Sequence, residues 1–191
     1  MTKNNQARDL IIKAATRLFH VQGYHATGLN QILVESGTPK GSLYYYFPKG
    51  KEQLVIETVQ YAAALIEADI RQRVESVADP VEAIHLHLEC LAEQFSDLSD
   101  PGNLKSPPFL LIALETAFSN ERIRQVCSET YQKWESLFLK KLMQLDMEEQ
   151  RAKNMATTVM ALIEGAVTLS ITQKTNAPIR AIQSIIPTLL K

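Results

Sequence analysis

Residues 27 to 47 read Thr-Gly-Leu-Asn-Gln-Ile-Leu-Val-Glu-Ser-Gly-Thr-Pro-Lys-Gly-Ser-Leu-Tyr-Tyr-Tyr-Phe. A glycine and a proline two residues apart, set between two apolar-periodic runs, leave room for little but two short helices and a tight turn. Thr27 suits an N-cap for a helix over 28 to 35, since its hydroxyl can accept a bond from a free first-turn amide. Leu29, Ile32 and Leu33 then share one face, and Gly37 stands where a helix C-terminus needs a residue that tolerates positive φ. Thr38 is a second N-cap candidate, with Pro39 at the first helical position. Leu43 and Phe47 can turn inward, which leaves Lys40, Gly41, Ser42, Tyr44 and Tyr45 outside. Three adjacent tyrosines cannot all be buried on one short helix. The motif is a helix-turn-helix, and DNA is the first partner to consider.

Around it the chain reads as all-α. A first helix over about 4 to 22 would carry Leu10, Ile11, Ala14, Ala15, Leu18 and Phe19 as its stripe and end at Gly23. After Pro48-Lys49-Gly50, residues 51 to 77 contain neither proline nor glycine and predict a long connector helix. Further helices are expected at 80–98, 107–118, 121–144, 148–174 and 178–190, with 97–108 as the extended loop. No alternating Val, Ile or Thr run bounded by turns appears, so a sheet is not expected. Two domains follow: 1–50 for the helix-turn-helix and 51–191 for a helical body.

Charge separates the same two parts. Residues 1–50 hold six basic and two acidic residues, a net +4, while 51–191 hold 14 basic and 19 acidic, a net −5. A basic head on an acidic body is what phosphate neutralisation by the head alone would favour. Cys90 and Cys127 are far apart with no Cys-x-x-Cys spacing, so both are expected as buried free thiols. His85 and His87 point to different helix faces, and His87 with Cys90 lacks a third ligand, so no metal or other cofactor is expected. There is no Gly-rich phosphate loop, nucleophile elbow or His-Glu-x-x-His, which disfavours an enzyme. The polar N-terminus lacks a signal-peptide core and no apolar run of spanning length stands out, so a cytoplasmic protein without a membrane partner is expected.

The run from Ala15-Thr-Arg-Leu-Phe-His-Val-Gln-Gly-Tyr-His-Ala-Thr to Gly41-Ser-Leu-Tyr-Tyr-Tyr-Phe-Pro-Lys-Gly-Lys-Glu-Gln-Leu54 resembles the N-terminal domain of the tetracycline-repressor (TetR) family. The Phe-Pro-x-Gly-Lys-Glu variant, with Ile163-Glu-Gly-Ala166, further resembles the LmrA-like branch, often found beside efflux or drug-resistance genes. That branch commonly carries a Gly-Cys-Pro-type element before its sixth helix, where this chain has Lys105-Ser-Pro-Pro108. The resemblance implies a homodimeric repressor with a three-helix DNA-binding domain and a C-terminal ligand-binding and dimerisation domain. A small-molecule inducer would release it from a double-stranded operator.

Roles for individual residues follow. In the head, Lys40 would reach a guanine edge or phosphate, Thr38 and Ser42 would bond phosphate or base, and Gly41 would let backbone come close. Tyr44 would pack on sugar and phosphate, and Lys51 and Thr27 would meet phosphates at helix N-termini. Solvated lysine for Lys40 and Lys51, and packing within the head for Tyr44 and Tyr45, are the competing readings. For the dimer, Met155, Val159, Leu162, Ile163, Ala166 and Leu169 form one stripe and Ile182, Ile185, Ile186 and Leu189 a second, suited to a four-helix interface; intramolecular core is the alternative. Glu164 would lie at the edge of that stripe. For the ligand, Phe109, Trp134 and Phe138 are the candidate pocket residues, with plain core as the alternative, and apolar walls would suit a planar or amphipathic organic compound.

Overall fold

The computed structural model describes residues 3–99 and 109–190. The double proline and most of the loop expected at 97–108, including Lys105-Ser-Pro-Pro108, lie outside the described residues. Among the described residues every regular element is a helix: α1 Lys3–Ala26, α2 Leu29–Ser36, α3 Lys40–Tyr46, α4 Gly50–Ser76, α5 Pro80–Gln94, α6 Phe109–Thr116, α7 Glu121–Leu142, α8 Glu149–Gln173 and α9 Ala177–Leu189.

The chain forms two compact units. The first takes residues 1–64 and 107–130, so it includes α6 and the start of α7 along with the head. Its core is the inner faces of the short helices. Ile11, Ala15 and Phe19 of α1, Ile32 of α2, Leu43 of α3, Phe47 just beyond it, and Leu54 and Val55 of α4 are all fully buried. Leu43→Ala would cost about 2–5 kcal/mol by the usual scale of such truncations. Leu10, expected in the α1 stripe, is instead exposed, and Ile12 takes an inner place. Leu29, expected in the core, is only half-buried.

The second unit takes residues 65–106 and 131–191, and there α9 packs on both α5 and α8. Asp79 caps α5 by accepting the Glu82 amide at 2.8 Å, and Pro80 follows at the first helical position, where its missing N–H costs nothing. Ile84, Leu88, Phe138, Leu142, Val159 and Ile179 fill the core. Lys141 is buried, and its ammonium donates to the Val77 carbonyl at 2.6 Å just past the end of α4, where a cation complements the helix dipole. One expectation fails here. By length and composition alone α8 is long and apolar enough to cross a bilayer, because Glu164 is the sole ionisable residue between Asn154 and Gln173. Its apolar residues divide between a buried side and an exposed side.

Candidate nucleic-acid interface

The geometry of the helix-turn-helix begins at the break in α1. Gly23 has φ 83° and ψ 172°, which ends the regular helix where the sequence placed its stop. The Thr27 hydroxyl then donates back to the Gly23 carbonyl at 2.6 Å, and Thr27 is 1% exposed. Thr27 is therefore not the N-cap, and its burial argues against the expected phosphate contact. The N-cap of α2 is Gly28, whose amide is taken by the Gln31 side chain at 2.8 Å. Gln22 completes the corner, its amide reaching the Ala26 carbonyl at 3.2 Å and the Gln31 side chain at 3.1 Å.

Gly37 ends α2 in the left-handed region, φ 62°, as its position required. The next helix starts one residue later than expected: Pro39 is the N-cap and Lys40 the first helical residue. Thr38 does not cap. Its hydroxyl pairs with that of Ser36 at 2.7 Å. From Pro39 onward the short α3 is held from within by Leu43 and Phe47, which are fully buried, so its other side is presented to solvent. Lys40 and Gly41 are exposed, Ser42 is half-buried, Tyr44 is 49% exposed and Tyr45 69%. A Cβ at Gly41 would meet nothing within 4 Å, so the backbone there is open to a close neighbour. Tyr46 is half-buried and meets the ring of Tyr45 edge-on at 4.9 Å.

The positive charge of the head is partly engaged inside the protein. Arg8 pairs with Glu57 and Arg17 with Glu35. Lys51 is half-buried, with its ammonium 4.4 Å from the centre of the Tyr24 ring and 3.4 Å from the His25 carbonyl. Burial lowers its pKa and nearby Glu115 acts in the opposite sense. Lys13, Lys40 and Lys49 stand exposed. Two features were missed in the sequence. Val34 is 84% exposed on α2, and the off-stripe position of a valine was the signal available for it. Glu115 sits beside Tyr24 from 91 residues away, and nothing local in the sequence announces that.

The proposed interface and pocket residues are dispersed differently. Val159, Ile163, Ala166 and Ile186 are buried inside the protomer, so they serve its own core. Met155, Leu162, Ile182 and Leu189 are half-buried, while Leu169 and Ile185 are 50% and 56% exposed. Glu164 is no bare edge residue: it accepts the Tyr131 hydroxyl at 3.2 Å, and burial raises its pKa more than that bond lowers it. Phe109 belongs to the first compact unit and Trp134 and Phe138 to the second. Phe109 lines a cavity of about 20 Å³ with Thr16, His20, Val59 and Ile112, room for a water and not for an organic ligand. Trp134 and Phe138 are buried, the first edge-on to Tyr131 at 5.7 Å and the second to His87 at 5.5 Å. A cleft of about 260 Å³ in the second unit has a charged wall of Arg71, Glu75, Lys140 and Lys141 and includes neither aromatic residue.

Two histidines, the half-buried His20 and the buried His87, are held neutral. Burial drives His20 down to about 4, and burial with the nearby Arg73 charge drives His87 down to about 3. Cys127 is buried, which pushes its thiol up to about 11, whereas Cys90 is only half-buried, contrary to expectation. Among the described residues no three His, Cys, Asp or Glu side chains gather as a metal site.

Comparison with known proteins agrees with this architecture. The family model for bacterial regulatory proteins of the tetR family matches residues 11–58, and that for the C-terminal domain of LmrA/YxaF-like transcriptional regulators matches residues 80–185. The chain is 48% identical to the HTH-type transcriptional regulator LmrA of Bacillus subtilis (strain 168), over 97% of each chain. It is 44% identical to the uncharacterized HTH-type transcriptional regulator YxaF of the same organism, over 100% of this chain and 98% of that one. A TetR transcriptional regulator from Chloroflexus aurantiacus J-10-FL superposes with a TM-score of 0.84 at 23% identity, covering 98% of this chain and 96% of that chain. Reduced Escherichia coli NemR gives 0.81 at 18% identity, covering 94% and 95%. These two likenesses speak for the fold. The relatives by sequence are transcriptional regulators, a class without enzymatic activity.

Proposed function

The chain belongs to the TetR family of bacterial transcriptional regulators, with an LmrA/YxaF-like C-terminal domain, and on that footing we propose that it is a homodimeric cytoplasmic repressor released from its operator by a small organic inducer. The observation that carries the reading is the side of α3 that Leu43 and Phe47, both fully buried, leave in solvent: Lys40, Gly41, Tyr44 and Tyr45, with the half-buried Ser42 beside them. An ammonium and two phenols on a rigidly seated helix are suited to a duplex, where Lys40 meets a guanine edge or phosphate and the tyrosines pack on the sugar-phosphate chain. Lys51 joins them only if it leaves the Tyr24 ring.

Dimerisation would use the outer side of α8 and α9. Leu162, Leu169, Ile182, Ile185 and Leu189 alternate there with exposed Ala161, Gly165, Ala181 and Ser184, small enough for close helix approach. A two-fold dimer would set its two α3 helices about one turn of DNA apart, roughly 34 Å, and the inducer need only bind better to a form with another spacing. A planar or amphipathic inducer, and target genes for efflux or drug resistance, complete the proposal.

The test is selection of bound duplexes from a random pool, followed by a compound screen for release and by light scattering. The proposal expects a two-fold symmetric sequence, a mass of two chains, a compound that both frees the duplex and changes the emission of the single tryptophan, and repression when the sequence overlaps a promoter. A monomer that retains no duplex would sink it.

A further inference from the structure

Gly23 leaves helical geometry, and the first backbone amide after it is that of Tyr24. It donates to the Glu115 carboxylate at 2.5 Å, and the His25 ring meets the Glu115 carbonyl at 3.2 Å. Glu115 lies one residue before the end of α6. A Cβ at position 23 would fall on that carboxylate and push it aside, and the positive φ there favours glycine in any case. One turn further along, Asn120 and Arg122 each donate to Glu52 at 2.9 Å, at the start of α4 and next to the Lys51 that covers Tyr24. The bonds from Gln22, Thr27 and Gln31 arise within ten residues of the corner, and that from Lys51 to the His25 carbonyl spans 26. Segment 115–122 supplies the bonds that come from furthest in sequence, 68 to 91 residues away.

We propose that Glu115 is a positioning residue for DNA binding: docked on the Tyr24 amide, its carboxylate fixes the angle at which α2 and α3 leave α1, and any displacement of α6 is felt there. The proposal rests on α3 being the helix that meets DNA. The corner keeps its apolar anchors without Glu115, since Phe19, Ile32 and Leu43 are fully buried on their own account. The fold should therefore survive the loss of the carboxylate, and the loss should appear as a looser angle. Glutamine in its place keeps an oxygen that can accept from Tyr24.

The experiment uses the full-length protein and the duplex that the parent selects from a random pool. If the parent selects nothing, the DNA-binding reading fails, and Glu115 is then not the reason. If it does select one, Glu115→Ala is expected to bind it about tenfold more weakly, within the range of typical site-to-site couplings, at temperatures well below its melting point. Glu115→Gln is expected to bind within about threefold of the parent. Amide exchange at Tyr24 should speed up in the alanine variant and stay slow in the glutamine variant, a signature that mere loss of stability would not restrict to one corner. Alanine binding like the parent, or glutamine binding as poorly as alanine, overturns the proposal. Should Glu115→Ala fail to fold, Glu115→Gln decides alone: slow Tyr24 exchange with near-parental affinity supports the proposal, and fast exchange or weak binding overturns it.

Discussion

The outer sides of α3 and of the α8 and α9 pair are both left in solvent by well-packed helices, yet they differ in kind. On α3 the exposed groups are an ammonium and two phenols, with a half-buried hydroxyl beside them. On α8 and α9 they are mostly small or aliphatic, Leu169, Ile185, Ala161, Gly165, Ala181 and Ser184, with exposed charge at the start of α8, on Glu149, Arg151 and Lys153, and at Arg180 on α9. A polar, cationic, aromatic side fits a polyanion whose surface is wet, whereas a small and aliphatic one fits another helix of the same make. The difference teaches that a partner's chemistry is read more surely from what a helix leaves out than from what it buries.

Leu169→Glu together with Ile185→Glu strikes one side of this comparison hardest. Two carboxylates in a dry helix-helix contact should give a single-chain mass by light scattering, and operator affinity should fall by about a hundredfold or more, since burying unpaired charge is so costly. A dimer that persists, with unchanged affinity, would make that side of α8 and α9 ordinary surface.

Acid sharpens the comparison from within, because His20 lies in one compact unit and His87 in the other. Both are held neutral, near pKa 4 and 3, so between those values and 6.5 the unfolded chain binds more protons than the folded one. Their stabilising effect is present above pH 6.5 and is lost as pH falls. At pH 5 each histidine should cost about 2 kcal/mol relative to pH 7. His20→Leu should flatten the dependence in the first unit and His87→Leu in the second, read by urea unfolding at both pH values.

On the α3 side, Lys40→Ala is expected to weaken operator binding by about tenfold and to reduce the salt slope by about 1, as loss of one phosphate contact does. Binding with a full salt slope would return Lys40 to the solvated surface. Thr27→Val gives the smallest effect: a fall of about 1 kcal/mol in stability for the lost bond to Gly23, with the salt slope untouched. A lowered slope would reinstate the phosphate role that burial argues against.

Local chemistry made the helix-turn-helix readable before any coordinates. Gly23 and Gly37 stop helices where they had to, Leu43 and Phe47 are buried as their spacing demanded, and the helix ranges agree to within a few residues in most elements. Periodicity says which side of a helix is apolar, and that much is fixed by residue order. What burial each apolar group finds is not. Val159, Ile163, Ala166 and Ile186 were indistinguishable in sequence from the residues left outside, because a stripe does not name its partner. Thr27 had the right side chain for a cap, but its hydroxyl donates back to the Gly23 carbonyl and Gly28 takes the N-cap position. Glu115 carries no local mark at all, since its bond to Tyr24 spans 91 residues. The order of residues thus determined the helices and their turns, which depend on neighbours along the chain; tertiary structure alone decided which groups meet across it, because those distances are set by packing.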